Sequence, residues 1–350
     1  MLKEIEGSKI SMEKRLSDKF RWFSLIMTFM IVCYHSAPHF ILLLTSDRND
    51  KITIYIKNFY ETFGSYALIF FFTTSAYFFY KSKLNTSIKL KKRIKTLLIP
   101  FVLWNILYMI FFLVMDRSMI CEGGVFRIVL GFSLEPFDGP LWYIPALFLY
   151  FICFNELPNR IRDKKGVVYI IVVQIIIGAV FRELLNRHII EFRFDYYVER
   201  FIRFIPAFWF GASCPGLIEK ANKKTDWSYP FIFMLMLIIS TIIGDTGVTV
   251  ILLYISMFSL WKSISIYGIK RYRGFIVINT FVIYAAHDAI IRVLLALLYK
   301  CSLGWLVFSY SIVLFIPIFI TIAIVIISFL PSTIVNKNRF LQFALAGGRK

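Results

Sequence analysis

Residues 20–44 read FRWFSLIMTFMIVCYHSAPHFILLL. About 20 mostly apolar residues are enough for a helix to cross a bilayer, so this run predicts a transmembrane helix. His35 lies 13 residues beyond Trp22, roughly 20 Å along that helix and slightly outside the midplane. A titratable side chain at such depth is costly and marks a functional site by default. The structural alternative is a histidine bonded to a neighbouring helix. Arg21 precedes His35 by 14 residues, close to four helical turns, so both fall on nearly the same face. Arg21 is read either as a snorkelling interface anchor or as a fixed cation below the imidazole.

The rest of the chain follows the same pattern. Of its 350 residues 59% are hydrophobic, including 38 Phe and 19 Tyr, against about 45–50% for soluble domains. Mean hydropathy is +0.71. Ten apolar spans are expected at 22–44, 64–80, 97–115, 141–155, 167–181, 201–218, 230–243, 248–261, 275–298 and 306–330. The expected fold is an all-α polytopic membrane protein. It forms a single domain over 1–350, with short tails at 1–20 and 331–350. No cleavable leader is expected, because the first apolar run is too long and lacks a small-residue cleavage site. With the N-terminus inside, the inner segments carry 28 Lys and Arg and the outer segments 10. That bias sets N-in, C-in for ten spans. It also accounts for the net charge of +19 without nucleic acid, for which no motif exists.

Cysteine is sparse: Cys33, Cys121, Cys153, Cys214 and Cys301. No Cys/His spacing suits a metal, and a Cys121–Cys301 disulfide is one option. The glycine-rich stretch 122–140 reads as an outer, re-entrant loop. Stretch 182–200 reads as a solvated, salt-bridged surface. No internal repeat is visible, and the sequence lacks a Walker loop, GxGxxG, HExxH or GxSxG.

The ninth span repeats the theme of the first with Tyr284, His287, Asp288 and Arg292. His287 sits at a depth similar to His35. Asp288 and Arg292, four residues apart, are expected to pair. The densest basic cluster is Lys81, Lys83, Lys89, Lys91, Lys92, Arg93 and Lys95. Positive-inside topology explains it, and so would an anionic ligand such as nucleotide phosphates.

Five segments in order carry a resemblance: IVCYHSAP, FFFTTSAYFFY, KKRIKTLLIPFVLW, GPLWYIPALFLYF and FVIYAAHDAII. Together they are similar to motifs of the membrane acyltransferase-3 family of bacterial O-acyltransferases. The sequence departs from that pattern in two places. Ser24 stands where the family usually has an arginine, with Arg21 the nearest cation, and Ala76 replaces a glycine. The resemblance implies transfer of an acyl group, by default acetyl, from acyl-CoA to a hydroxyl of a cell-envelope or exported carbohydrate. The location would be the bacterial inner membrane, in contact with lipid and without a metal. Arg21, Lys92, Arg93 and Lys95 would hold the CoA phosphates. His35 would act as general base or as a covalent acyl carrier. Trp142, Tyr143, Asp138 and His287 would meet the acceptor, although Trp142 and Tyr143 also suit an interfacial aromatic belt. The competing readings are a transporter or flippase-like exporter of an envelope glycan or lipid, and a catalytically silent family member.

Overall fold

A computed structural model describes residues 2–44, 50–115, 139–155, 164–189, 195–220, 226–265, 279–300 and 310–348. Among these residues the chain is helical, with no strand. The first helices are α1 (Leu2–Leu44), α2 (Lys51–Lys81), α3 (Thr86–Arg93) and α4 (Ile99–Met115), with a π-helical segment, Ile94–Leu98, joining α3 to α4. A 3-10 turn, Gly139–Trp142, leads into α5 (Tyr143–Cys153). It is followed by α6 (Lys164–Asn186), α7 (Asp195–Ser213), α8 (Pro215–Glu219), α9 (Ser228–Ile243) and α10 (Gly247–Ser263). The last helices are α11 (Thr280–Lys300), α12 (Tyr310–Ile327), α13 (Phe329–Lys337) and α14 (Arg339–Ala346). Where they are described, the expected apolar spans fall largely on helix.

Among the described residues six helical stretches are long and apolar enough to cross a membrane: Glu13–Ile41, Lys51–Lys81, Thr86–Met115, Lys165–Asn186, Thr280–Leu298 and Val313–Lys337. Gly139–Cys153, Ser228–Ile243 and Gly247–Ser263 are apolar but shorter than the roughly 20 residues a full crossing takes. Large apolar side chains such as Val114, Tyr169, Phe231 and Phe319 face outward. Such a surface suits lipid, which makes this a multi-pass membrane protein.

The element bounds differ from the hydropathy reading in a consistent way. Helix α2 starts well before residue 64, because Asp50 caps it by accepting from the amides of Ile52 and Thr53 at 3.0 and 3.3 Å. Helix α6 runs on past 181, and α7 begins before 201. In each case the added turns are polar, so a hydropathy window clips them while the backbone bonds continue. Stretches read as outer loop are therefore partly helical wall. Cys121, Cys301, Asp138 and most of the proposed re-entrant loop lie outside the described residues.

Helix α2 is the hub, packing against α1, α5, α7, α9, α10 and α12. Its close fit to α7 depends on Gly211, where a Cβ would run into the Thr73 carbonyl. The Thr73 hydroxyl donates to the Ala207 carbonyl at 3.1 Å across the same seam. Small residues at such seams let helices approach in a bilayer, where apolar burial alone gives no drive to associate. The core is rich in aromatics, with Phe72 stacked on Phe204 at 5.4 Å and Phe79 on Phe151 at 4.4 Å.

Gly211→Val forces these two helices apart, and overpacking of this kind typically costs about 2 kcal/mol. The expected outcome is a lower melting temperature in detergent. Gly216→Ala, where nothing lies within 4 Å of the added atom, should leave it unchanged or slightly higher.

Candidate active site

His35, on α1, lines a cavity of about 430 Å³ at one end of the bundle. Two faces of the wall come from Tyr34 on α1 and from Asn58, Glu61, Thr62, Gly64 and Ser65 on α2. Trp142 and Pro140 of the 3-10 turn contribute, as does Arg182 of α6. Glu199, Arg200 and Arg203 enter from α7, Asp245 from the α9–α10 turn, and Asp288 and Arg292 from α11. Gly64 is required at its position: a Cβ would sit 2.8 Å from the Tyr34 ring. The close approach of α1 to α2 therefore sets the side chain that precedes His35.

His287 stands behind His35, fully buried, with the two ring centroids 5.0 Å apart. Its Nδ1 bonds the Tyr284 carbonyl. A carbonyl oxygen only accepts, so in the neutral ring the proton is on Nδ1 and Nε2 keeps the lone pair. That Nε2 is buried and has no hydrogen-bond partner among the described residues. Tyr108 steadies the helix around His287. Its hydroxyl donates to the Ala285 carbonyl and accepts from the Ala289 amide, both at 2.9 Å, spanning one turn of α11. Tyr284 in turn donates to the Pro140 carbonyl, tying α11 to the turn that carries Trp142.

The charged groups of the wall are interlocked. Asp245 binds both Arg182 and, at 2.6 Å, Arg203. Arg203 also faces Glu199 at 3.0 Å, with 2% of that carboxylate side chain exposed. Asp288 and Arg292 pair at 2.8 Å, as expected from their spacing. The described part of stretch 182–200 is salt-bridged, but Arg182, Glu199 and Arg200 face the cavity rather than open solvent. The surface pair Arg187–Glu183 matches the simpler picture.

The remaining candidates separate. Trp142 lines the cavity, with the Arg200 guanidinium 4.9 Å from its ring. Tyr143 is buried beneath the cavity, edge-on to Tyr284 at 5.3 Å. Lys92 and Arg93 line a second cavity of about 340 Å³ at the opposite end of α2, with Lys89, Thr96, Phe78, Phe79 and Gly347. The Arg93 guanidinium lies 5.2 Å from the Phe151 ring. Lys95 is exposed and does not line this cavity. Arg21 is exposed in an adjoining groove with Ser17, Ser24 and Phe78. Lys19, which hydropathy does not single out, is buried on α1. It donates to the Trp261 and Ile264 carbonyls at 2.6 and 2.8 Å, at the C-terminal end of α10.

Asn58, Glu61, Glu199 and Asp245 were not foreseen as site residues. The available signals were Arg203, a charge inside an apolar run, and the acid in Gly244-Asp245-Thr246-Gly247, a turn without Lys or Arg. Among the described residues no group of three His, Cys, Asp or Glu could hold a metal ion.

The sequence matches a known family, described as an acyltransferase domain, over residues 21–335. The chain belongs to the membrane acyltransferase-3 family. Among curated proteins and solved structures, none matches it. The family match takes in His35, His287 and the lining of both cavities except Gly347, so the paired imidazoles lie within its acyltransferase domain.

Arg203→Leu leaves the Glu199 carboxylate buried without its cation, a loss that typically costs about 3 kcal/mol or more. The expected result is a steep fall in melting temperature, partly recovered in Arg203→Leu/Glu199→Leu. No recovery in the double variant would contradict the pairing.

Proposed function

We propose that this acyltransferase is an O-acyltransferase, taking an acetyl group from acetyl-CoA and placing it on a hydroxyl of an envelope or exported carbohydrate in the bacterial inner membrane. The observation that carries this reading is His35 on the wall of a polar cavity, backed by a buried His287 with a lone pair on Nε2. The cavity suits a sugar, offering hydroxyls, carboxylates, an amide and an indole face. The basic cavity suits the phosphates of CoA, with Lys92 and Arg93 inside it, Arg21 in the adjoining groove and Lys95 outside on the surface. Gly64 and Phe78 mark the two levels on α2, about 14 residues or roughly 21 Å apart. The pantetheine arm would cover that distance between helices. The charge bias of the loops supports the basic cavity on the cytoplasmic side and the sugar cavity on the outer side, with both chain ends inside.

In the proposed step the acceptor O–H gives its proton to a ring nitrogen of His35 as its oxygen attacks the thioester carbonyl. The tetrahedral intermediate collapses, the C–S bond breaks, and the CoA thiolate takes the proton back from His35. His287 Nε2 would accept a hydrogen bond from the other nitrogen of His35, fixing its tautomer. Trp142 would stack on the sugar ring, while Tyr143 would act through Tyr284 rather than by touching the acceptor. Asp138, the residue before Gly139 in sequence and outside the described residues, is kept as an acceptor-side candidate.

The test is transfer of radiolabelled acetyl from acetyl-CoA to envelope glycans, in membranes holding equal amounts of wild type, His35→Ala or His287→Ala. Loss of a general base costs about 100-fold or more, so label should appear with wild type and fall to background with His35→Ala. His287→Ala should retain partial transfer. Full transfer by His35→Ala would overturn the assignment. No transfer by the wild type, with acceptor present, would favour the silent or transporter reading.

A further inference from the structure

The family match ends at residue 335, yet the basic cavity is completed by a residue beyond it. Gly347 lies on the cavity wall beside Thr96, Lys92 and Arg93. It ends α14, which is anchored in three ways. Asn338 caps its start, accepting from the amides of Phe340 and Leu341 at 2.9 and 3.2 Å. The Trp104 indole donates to the Leu345 carbonyl at 2.9 Å, and Gln342, Ala344 and Ala346 are buried on the inward side. Phe340 and Phe343 stay exposed, as in a helix lying at a membrane surface. Gly347 has a φ of +60°, and a Cβ there would run into the Thr96 carbonyl. Thr96 belongs to the π-helical segment that sets the pitch between Arg93 and α4, and π-helical turns are often found at functional sites.

We propose that the C-terminal helix α14, through Gly347, forms the rim of the donor-phosphate cavity and sets its width by seating directly on the π-helical segment. This rests on reading that cavity as the CoA site. Gly347 is a positioning residue: its lack of a side chain lets α14 close against Thr96 without displacing Lys92 and Arg93. A side chain at 347 both strains the backbone and pushes the rim away from the basic groups.

The experiment is binding of coenzyme A to the full chain, purified in detergent free of anionic lipid, with melting temperature measured in parallel. The proteins are wild type, Gly347→Val, and Trp104→Phe, which removes the indole bond to α14 but keeps the ring. The expected result is binding by wild type and a loss of about tenfold or more in both variants, well beyond what any fall in melting temperature accounts for. Equal affinity in all three would overturn the role of α14 while leaving the CoA site standing. Affinity that falls only in step with melting temperature would overturn it as well. No binding by wild type would remove the CoA reading of the cavity and the role of α14 with it. If wild type then binds vesicles of anionic phospholipid, the phosphate source is a headgroup.

Discussion

Inside a bilayer a polar group has only the protein to satisfy it, and the placement of two imidazoles in the bundle obeys that constraint. His287 is fully buried, so its Nδ1–H must find an acceptor, and the Tyr284 carbonyl provides it. This bond fixes the ring, and the Tyr108 hydroxyl bridging Ala285 to Ala289 steadies the turn that holds it. His35 needs less support, because it faces a cavity wide enough for water or ligand. One ring is thus locked and the other open to a substrate, an arrangement suited to proton transfer.

The same constraint explains the ion pairs around the cavity. Arg203, Glu199, Asp245 and Arg182 form a chain in which each charge has a counter-charge. Burying any of them alone would be costly. Linked together, they hold the ends of α6, α7 and α10 at fixed separations around the space beside His35. The polar wall is therefore also the clamp of that end of the bundle. At the other end, Lys19 and Lys262 play a quieter part: each donates to carbonyls near a helix terminus, with Lys262 bonding Leu217 at 2.7 Å.

The helices, both histidines, the Asp288–Arg292 pair and the basic cluster were legible in the sequence, because long apolar runs make rare polar residues conspicuous, although most of that cluster is helical (α3 and the π-helical segment) rather than loop. The cavity was much less so. Asn58, Glu61, Arg182 and Glu199 lie on helical turns that hydropathy assigns to loops, since a polar turn lowers the window average without breaking the backbone ladder. The active end of the bundle is built from the parts of the helices that hydropathy discards. Arg21 and Lys19 show a different limit of local pattern. Arg21 is exposed, as suits the interface-anchor reading, while Lys19 is buried, held by the carbonyls at the end of α10, which no local pattern on α1 reveals. Gly347 carried no signal either, because its importance comes from a long-range contact with Thr96.

The central claim is that donor and acceptor reach the paired histidines from opposite ends of the bundle. The most direct measurement uses proteoliposomes of known orientation, with acetyl-CoA confined to one compartment and a soluble carbohydrate acceptor to the other. The account predicts acetyl transfer when CoA faces the Lys92–Arg93 end and the acceptor faces the His35 cavity, and none in the reverse arrangement. Transfer that requires both reactants on one side would contradict it.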